Sequence, residues 1–143
     1  MHSLSTVQAH AQSCLTASPV LAAFGDPILY SPFQDRTASA ALIEERLRTT
    51  GVCIEISGVS AVSAEALRLG TTHARGIFEV RIAESLSTAH TPGDAALREE
   101  VIRAITQRTR QLVEWESFGP DDSLMEQGYV LNVITFSIPI LVN

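Results

Sequence analysis

The chain has 143 residues, 45% hydrophobic and 18% charged, which is long enough for one domain with its own core and too apolar for a disordered segment. A formal net charge of −6 argues against a general nucleic-acid binder and against a protein drawn to an anionic membrane. No apolar run reaches the roughly 18 residues of a membrane span, and every basic residue is an arginine, a usage that fits a GC-rich coding sequence.

The first arginine is Arg36, with no long apolar stretch ahead of it, so the pattern predicts no secretory leader. Cys14 and Cys53, the two cysteines, are then expected as free thiols in a reducing cytosol. Residues 3–15 read as a helix with Leu4, Val7, Ala11, Cys14 and Leu15 on one side. Ser18-Pro19 opens a second, short helical turn through Val20, Leu21 and Phe24, and Gly25 stops it. Residues 26–37 hold two prolines and the cluster Ile28, Leu29, Tyr30 and Phe33. They read as a long connection with room for one short edge strand, and a loop rich in aromatics often docks on a neighbour.

Residues 39–50 read as a helix with Leu42, Ile43 and Leu47 apolar and Glu44 four residues before Arg48. Gly51 suits the position just past its end. The strand Val52–Ser57 follows, with Val52, Ile54 and Ile56 facing one way. The pattern blurs from Gly58 to Gly76: residues 65–69 fit a short helix or a strand, and 70–76 a turn-rich loop. In 77–83 the alternation returns, with Phe78, Val80 and Ile82 on one face of a strand and Glu79 and Arg81 on the other.

Thr91 is the predicted N-cap of a long helix, with Pro92 at its first position and Asp94 completing a box-like pattern; Asp94 as the cap itself is the alternative. Leu97, Val101, Ala104, Ile105 and Leu112 trace one apolar stripe, Glu99 and Arg103 form an i, i+4 pair, and Arg108 and Arg110 suit the last turns. Val113 to Glu116 begins a strand with Val113 and Trp115 on its apolar side and Phe118 on the other. Residues 119–123 read as a turn. Residues 128–140 are the most β-like stretch: Tyr129, Leu131 and Val133 line one face, Val130, Ile134, Phe136 and Ile138 the other, and Pro139 is expected to end the pairing. Apolar residues on both faces require cover on both. A helix layer supplies one, and a second subunit is the candidate for the other. The expected fold is a single α+β domain over 1–143, a mostly antiparallel four-stranded sheet with helices packed on one face.

Catalytic and ligand motifs are missing. His2, His10, His73 and His90 are scattered without metal-ligand spacing, Ser57-Gly58-Val59-Ser60 is no nucleophile elbow, and the glycines form no phosphate loop. A thiol enzyme needs Cys14 or Cys53 beside a histidine, and Cys53 in mid-strand reads as a packed residue. Glu114 with Glu116, and Glu99 with Glu100, read as solvated faces. The sequence therefore predicts no enzyme, no catalytic residue, no cofactor and no metal. The competing reading is a ligand-binding module or enzyme using Glu55, Glu79 or His73 between the long helix and the 70–76 loop.

The order of elements resembles the tail terminator (tail completion) proteins of long-tailed bacteriophages and prophages. The resemblance rests on the N-terminal helix, the run Ile43-Glu44-Glu45-Arg46-Leu47 leading to Gly51-Val52-Cys53-Ile54-Glu55-Ile56, and the strand Phe78-Glu79-Val80-Arg81-Ile82-Ala83-Glu84-Ser85. The helix around Leu97 to Ile105 and the closing Val133-Ile134-Thr135-Phe136 complete it. The long aromatic loop at 26–37 and the helix before Val52 depart from some such proteins. The resemblance implies a non-catalytic subunit that forms a homo-oligomeric ring, often a hexamer, at the head-proximal end of the tail. Its implied partners are other tail and head-connector proteins, with no sequence-specific nucleic acid and no membrane. Its implied place is the bacterial host cytoplasm during assembly and then the virion tail. Another head–tail connector or minor tail component is the alternative within the same class. The candidate subunit interface is Tyr30, Phe33, Tyr129, Leu131 and Val133.

Overall fold

The computed structural model describes residues 2–31, 37–64, 73–121 and 125–141. In chain order the elements are α1 (Val7–Thr16), α2 (Pro19–Ala22), β1 (Ile28–Tyr30), α3 (Thr37–Thr49), β2 (Val52–Ser57), β3 (Ala61–Ala64), β4 (His73–Ser85), α4 (Asp94–Gln107), β5 (Glu114–Asp121), a 3-10 turn (Met125–Gln127) and β6 (Tyr129–Leu141). The sheet is centred on β4 and β6, which pair antiparallel along their whole lengths, from Ser85 opposite Tyr129 to His73 opposite Leu141. On the other side of β4, β2 pairs with its second half and β3 with its first. β1 runs parallel to β2 at one edge and β5 antiparallel to β6 at the other, giving the order β1-β2-β4-β6-β5.

The sheet is therefore six-stranded and mixed, not four-stranded and antiparallel. The two further strands are short: β1, with three residues at the sheet edge, is the short edge strand for which residues 26–37 had room, and β3 has four, too few for alternation to stand out. β3 lies within the stretch where the sequence pattern blurs. The readings for residues 65–72 fall outside the described residues, and residues 73–76, expected in a turn-rich loop, are the first residues of β4.

One face of the sheet carries Val52, Ile54, Phe78, Val80, Ile134 and Phe136, packed against α1 and against Leu97, Val101, Ala104 and Ile105 of α4. Phe78 and Phe136 stack at its centre with ring centroids 5.3 Å apart. The opposite face is not bare. Ile28, Cys53, Ala83 and Leu131 form a second cluster with Leu47 of α3, rimmed by Ile43, Tyr129 and Val133. Helices thus pack on both faces. The physical reason lies in β2 and β4, where Cys53 and Ala83 are small enough for a helix to sit down on the side opposite Val52 and Ile82. On the second apolar face of β6, Leu131 is accordingly buried in this cluster while Tyr129 and Val133 stay half-buried at its rim, and beyond Val133 that face turns polar with Thr135 and Ser137.

Several ends differ from the sequence pattern. Residues 4–6 form a turn before α1, which leaves Leu4 exposed. α4 stops at Gln107, and Leu112 stands free of the stripe at 73% exposure. Arg103 pairs with Glu100 rather than with Glu99. β5 runs on through the expected turn to Asp121, with an irregularity after Phe118. Pro139 stays in register opposite Arg75. Leu141 donates outward to the His2 carbonyl, and residues two apart on a strand send their N–H the same way. The donor that Pro139 lacks would therefore point outward, past the end of β5, where no ladder bond is lost. Gly25 and Gly51 hold the positive φ expected of helix-ending glycines.

Candidate functional site

Two polar clusters are the places where chemistry could reside. The first is built on Glu84, near the end of β4 and 5% exposed. Its Oε1 accepts from the Asp94 backbone N–H at 2.7 Å and faces His90 Nε2 at 2.9 Å; its Oε2 accepts from Asn132 Nδ2 at 2.8 Å. The carboxylate therefore caps α4, whose N-cap residue is Gly93. Neither Thr91 nor Asp94 takes that role. A buried carboxylate with three donors at the positive end of a helix is well held. His90 Nδ1 faces the Thr88 carbonyl at 3.1 Å, so both ring nitrogens are turned to oxygen acceptors, and among the described residues no hydroxyl or thiol bonds to the ring. The cluster ties β4, α4 and β6 together.

The second cluster places His10 beside Cys14, one turn apart on α1. Their Nε2 and Sγ are 3.5 Å apart, a proximity the sequence reading did not draw from the i, i+4 spacing. The hydrogen-bond directions decide its meaning. The Thr109 hydroxyl donates to the Ile105 carbonyl at 2.7 Å, so its oxygen accepts from His10 Nε2 at 2.8 Å. In the neutral ring the proton then sits on Nε2, facing the sulfur, and the lone pair is on the far nitrogen. Burial pushes the Cys14 thiol up, against smaller downward pulls from Thr109 and Arg108. A protonated thiol without a facing base is not an activated nucleophile. Among the described residues no three His, Cys, Asp or Glu converge to hold a metal, and no helix is long and apolar enough to cross a membrane.

Among the described residues, those of the alternative reading do not meet under α4. Glu55 and Glu79 point to the α3 side of the sheet, away from α4, and Glu79 accepts from the Tyr30 hydroxyl at 2.7 Å. Residues 70–72 and the His73 side chain lie outside the described residues.

Compared with protein-family models and with curated proteins, the chain matches none.

The outer surface remains. Of the five residues expected at a subunit contact, Tyr30 is buried and tied to Glu79, and Leu131 is buried within the α3-side cluster. Tyr129 and Val133 are half-buried at the rim, and Phe33 lies outside the described residues. Tyr129 also lines an open groove of about 480 Å3 with Ile43, Leu47, Arg48, Ser87 and Thr88. The larger exposed side chains lie elsewhere. Trp115 and Phe118 on β5 are each half exposed, on opposite faces: Trp115 lies across from Phe136 and Phe118 across from Val133. The available signal was their setting. Flanking Glu114 and Glu116 and the following Gly119-Pro120 mark an edge strand, where aromatic residues meet solvent instead of a core.

Proposed function

We propose that this protein is a non-catalytic assembly subunit that works as a homo-oligomer, and that its assembly is the head-proximal ring of a phage or prophage tail, as a tail terminator or tail completion subunit. The observation that carries the assembly reading is β5, an edge strand exposed along nearly its whole length with an aromatic residue standing out from each face. A monomer gains nothing from half-exposed tryptophan and phenylalanine on one edge, whereas aromatic side chains are favoured anchors at subunit contacts. The polar clusters support the same reading, because both are explained by structure and neither presents a reactive group. The tail assignment rests on the order of elements and the quoted segments.

The chemistry of β5 also bears on the symmetry of the contact. Two copies pairing β5 to β5 about a two-fold axis keep each residue opposite one on its own face. Registers centred on Glu114, Trp115 or Glu116 then set carboxylate against carboxylate, which is unfavourable. A contact between β5 and an unlike surface of the next copy avoids this, and such heterologous contacts close into rings. Native mass spectrometry and sedimentation over a range of concentrations, alone and with purified tail tubes, test the proposal. A ring-sized species, or a ring formed on tube ends, is expected, and a double substitution of Trp115→Ser and Phe118→Ser is expected to reduce it. A chain that stays monomeric in both settings overturns the reading.

A further inference from the structure

The segment ahead of α1 closes an edge that β5 leaves open. β5 pairs with β6 as far as Glu114 opposite Ser137, so the last turn of the ladder on that side, from Pro139 to Leu141, has no partner from β5. His2 fills the gap. It forms a parallel bridge with Ile140, and its carbonyl accepts from the Leu141 N–H at 2.9 Å. Its side chain makes a second contact, with α1. Its ring lies on that of His10, with centroids 4.1 Å apart and planes 32° from parallel, and His10 is fixed from behind by Thr109 at 2.8 Å. Two imidazoles in contact stack well when neutral and repel when both are charged. Around the pair, α1 contributes the Cys14 thiol, and Arg108 beyond α4 is the charged group bearing on that thiol. No described carboxylate is recorded against either ring.

We propose that residues 2–6 are an acid-released clasp: the His2–His10 stack holds the N-terminal segment against the outer edge of β6, and protonation of the pair frees it. The local electrostatics have the required sign. Burial, and secondarily the charge of His2, holds His10 below the usual imidazole value of 6.5. Burial, then the neighbouring α-amino charge, does the same for His2. With pKa values depressed in the closed form and near 6.5 in the open one, closure is fully favoured above pH 6.5. It is lost as pH falls from there through the depressed values. Release would leave Ile140 and Leu141 as an uncovered strand end able to accept another strand.

Amide hydrogen exchange by NMR on the full chain tests this. Between pH 7.5 and pH 5 the protection factor of the Leu141 amide, corrected for intrinsic exchange, is expected to fall on the order of tenfold for each unit by which closure depresses the pair, while the central amides of Ile134 and Val80 keep theirs. A double variant, His2→Phe with His10→Gln, keeps a ring against α1 and a donor to Thr109 without the charges; it should hold Leu141 protection at pH 5. Titration of the two imidazole resonances in the unmodified protein is the companion measurement, with midpoints expected below 6.5. Equal Leu141 protection at both pH values, an equal loss in the double variant, parallel loss at Ile134, or imidazole midpoints at or above 6.5 would each overturn the clasp.

Discussion

At the level of single residues, the fold depends on a buried carboxylate near the end of β4. Glu84 joins β4, α4 and β6 through His90, the Asp94 N–H and Asn132. Glu84→Gln keeps the size but turns an amide NH2 toward one of three donors. Hydrogen bonds to a charged group contribute about 1.5–3 kcal/mol and an orphaned buried donor costs a similar amount, so a loss of about 2–4 kcal/mol is expected in urea unfolding. Gly119 answers to the same cluster. A Cβ there would lie 2.6 Å from Asn132 Oδ1 and 3.1 Å from its Cα, at a φ of +139°. Gly119→Ala is expected to destabilise by about 1–3 kcal/mol, measurable as a lowered melting temperature. Asn132 itself is fully buried, and its Oδ1 has no hydrogen-bond partner among the described residues, so any shift of the chain at Gly119 acts on an already under-satisfied group.

At the level of elements, the edge strand and the core strands should respond differently to substitution. Trp115 and Phe118 are half in water, so serine at both is expected to change the unfolding free energy of the isolated chain by no more than about 1 kcal/mol. The same change in a core pair such as Phe78 and Phe136 would prevent folding. If the double edge variant unfolds at markedly lower urea concentration, β5 is a stability element and not a contact surface. The same contrast explains what could be read from sequence. β2, β4, α4 and β6 each carry enough residues in period to be seen one at a time, and the structure keeps them with adjusted ends. β3 is too short to show a period, and β1, shorter still, was legible only as room for one edge strand within residues 26–37. The cover that α3 gives to Cys53, Ala83 and Leu131 depends on which strands become neighbours, which no local pattern reports. The Glu84 cluster was hidden for that reason too: its members are 48 residues apart in sequence at the widest and meet only because β4 and β6 pair. The His10–Cys14 spacing was visible, but its chemistry turned on Thr109, which arrives from the far end of α4.

For the molecule as a whole, the decisive feature is the late position of β6. It pairs with all of β4 and, among the described residues, is the only link between β5 and the rest of the sheet. A fragment of residues 1–128 should therefore lack both a cooperative unfolding transition and dispersed amide resonances; a fragment that folds would show that β2, β3 and α1 suffice to hold β4. The same arrangement has a consequence during synthesis. The end of β4 leaves the ribosome 56 residues ahead of the end of its partner, since the two strands finish at Ser85 and Leu141. At about 5–20 residues per second that interval lasts about 3–11 s. For those seconds Phe78, Val80 and Ile82 are tethered to the ribosome without the strand that completes their sheet. The nascent chain is then most exposed to aggregation, and slower elongation or scarce chaperones would lower the yield of soluble protein without altering any contact in the finished fold.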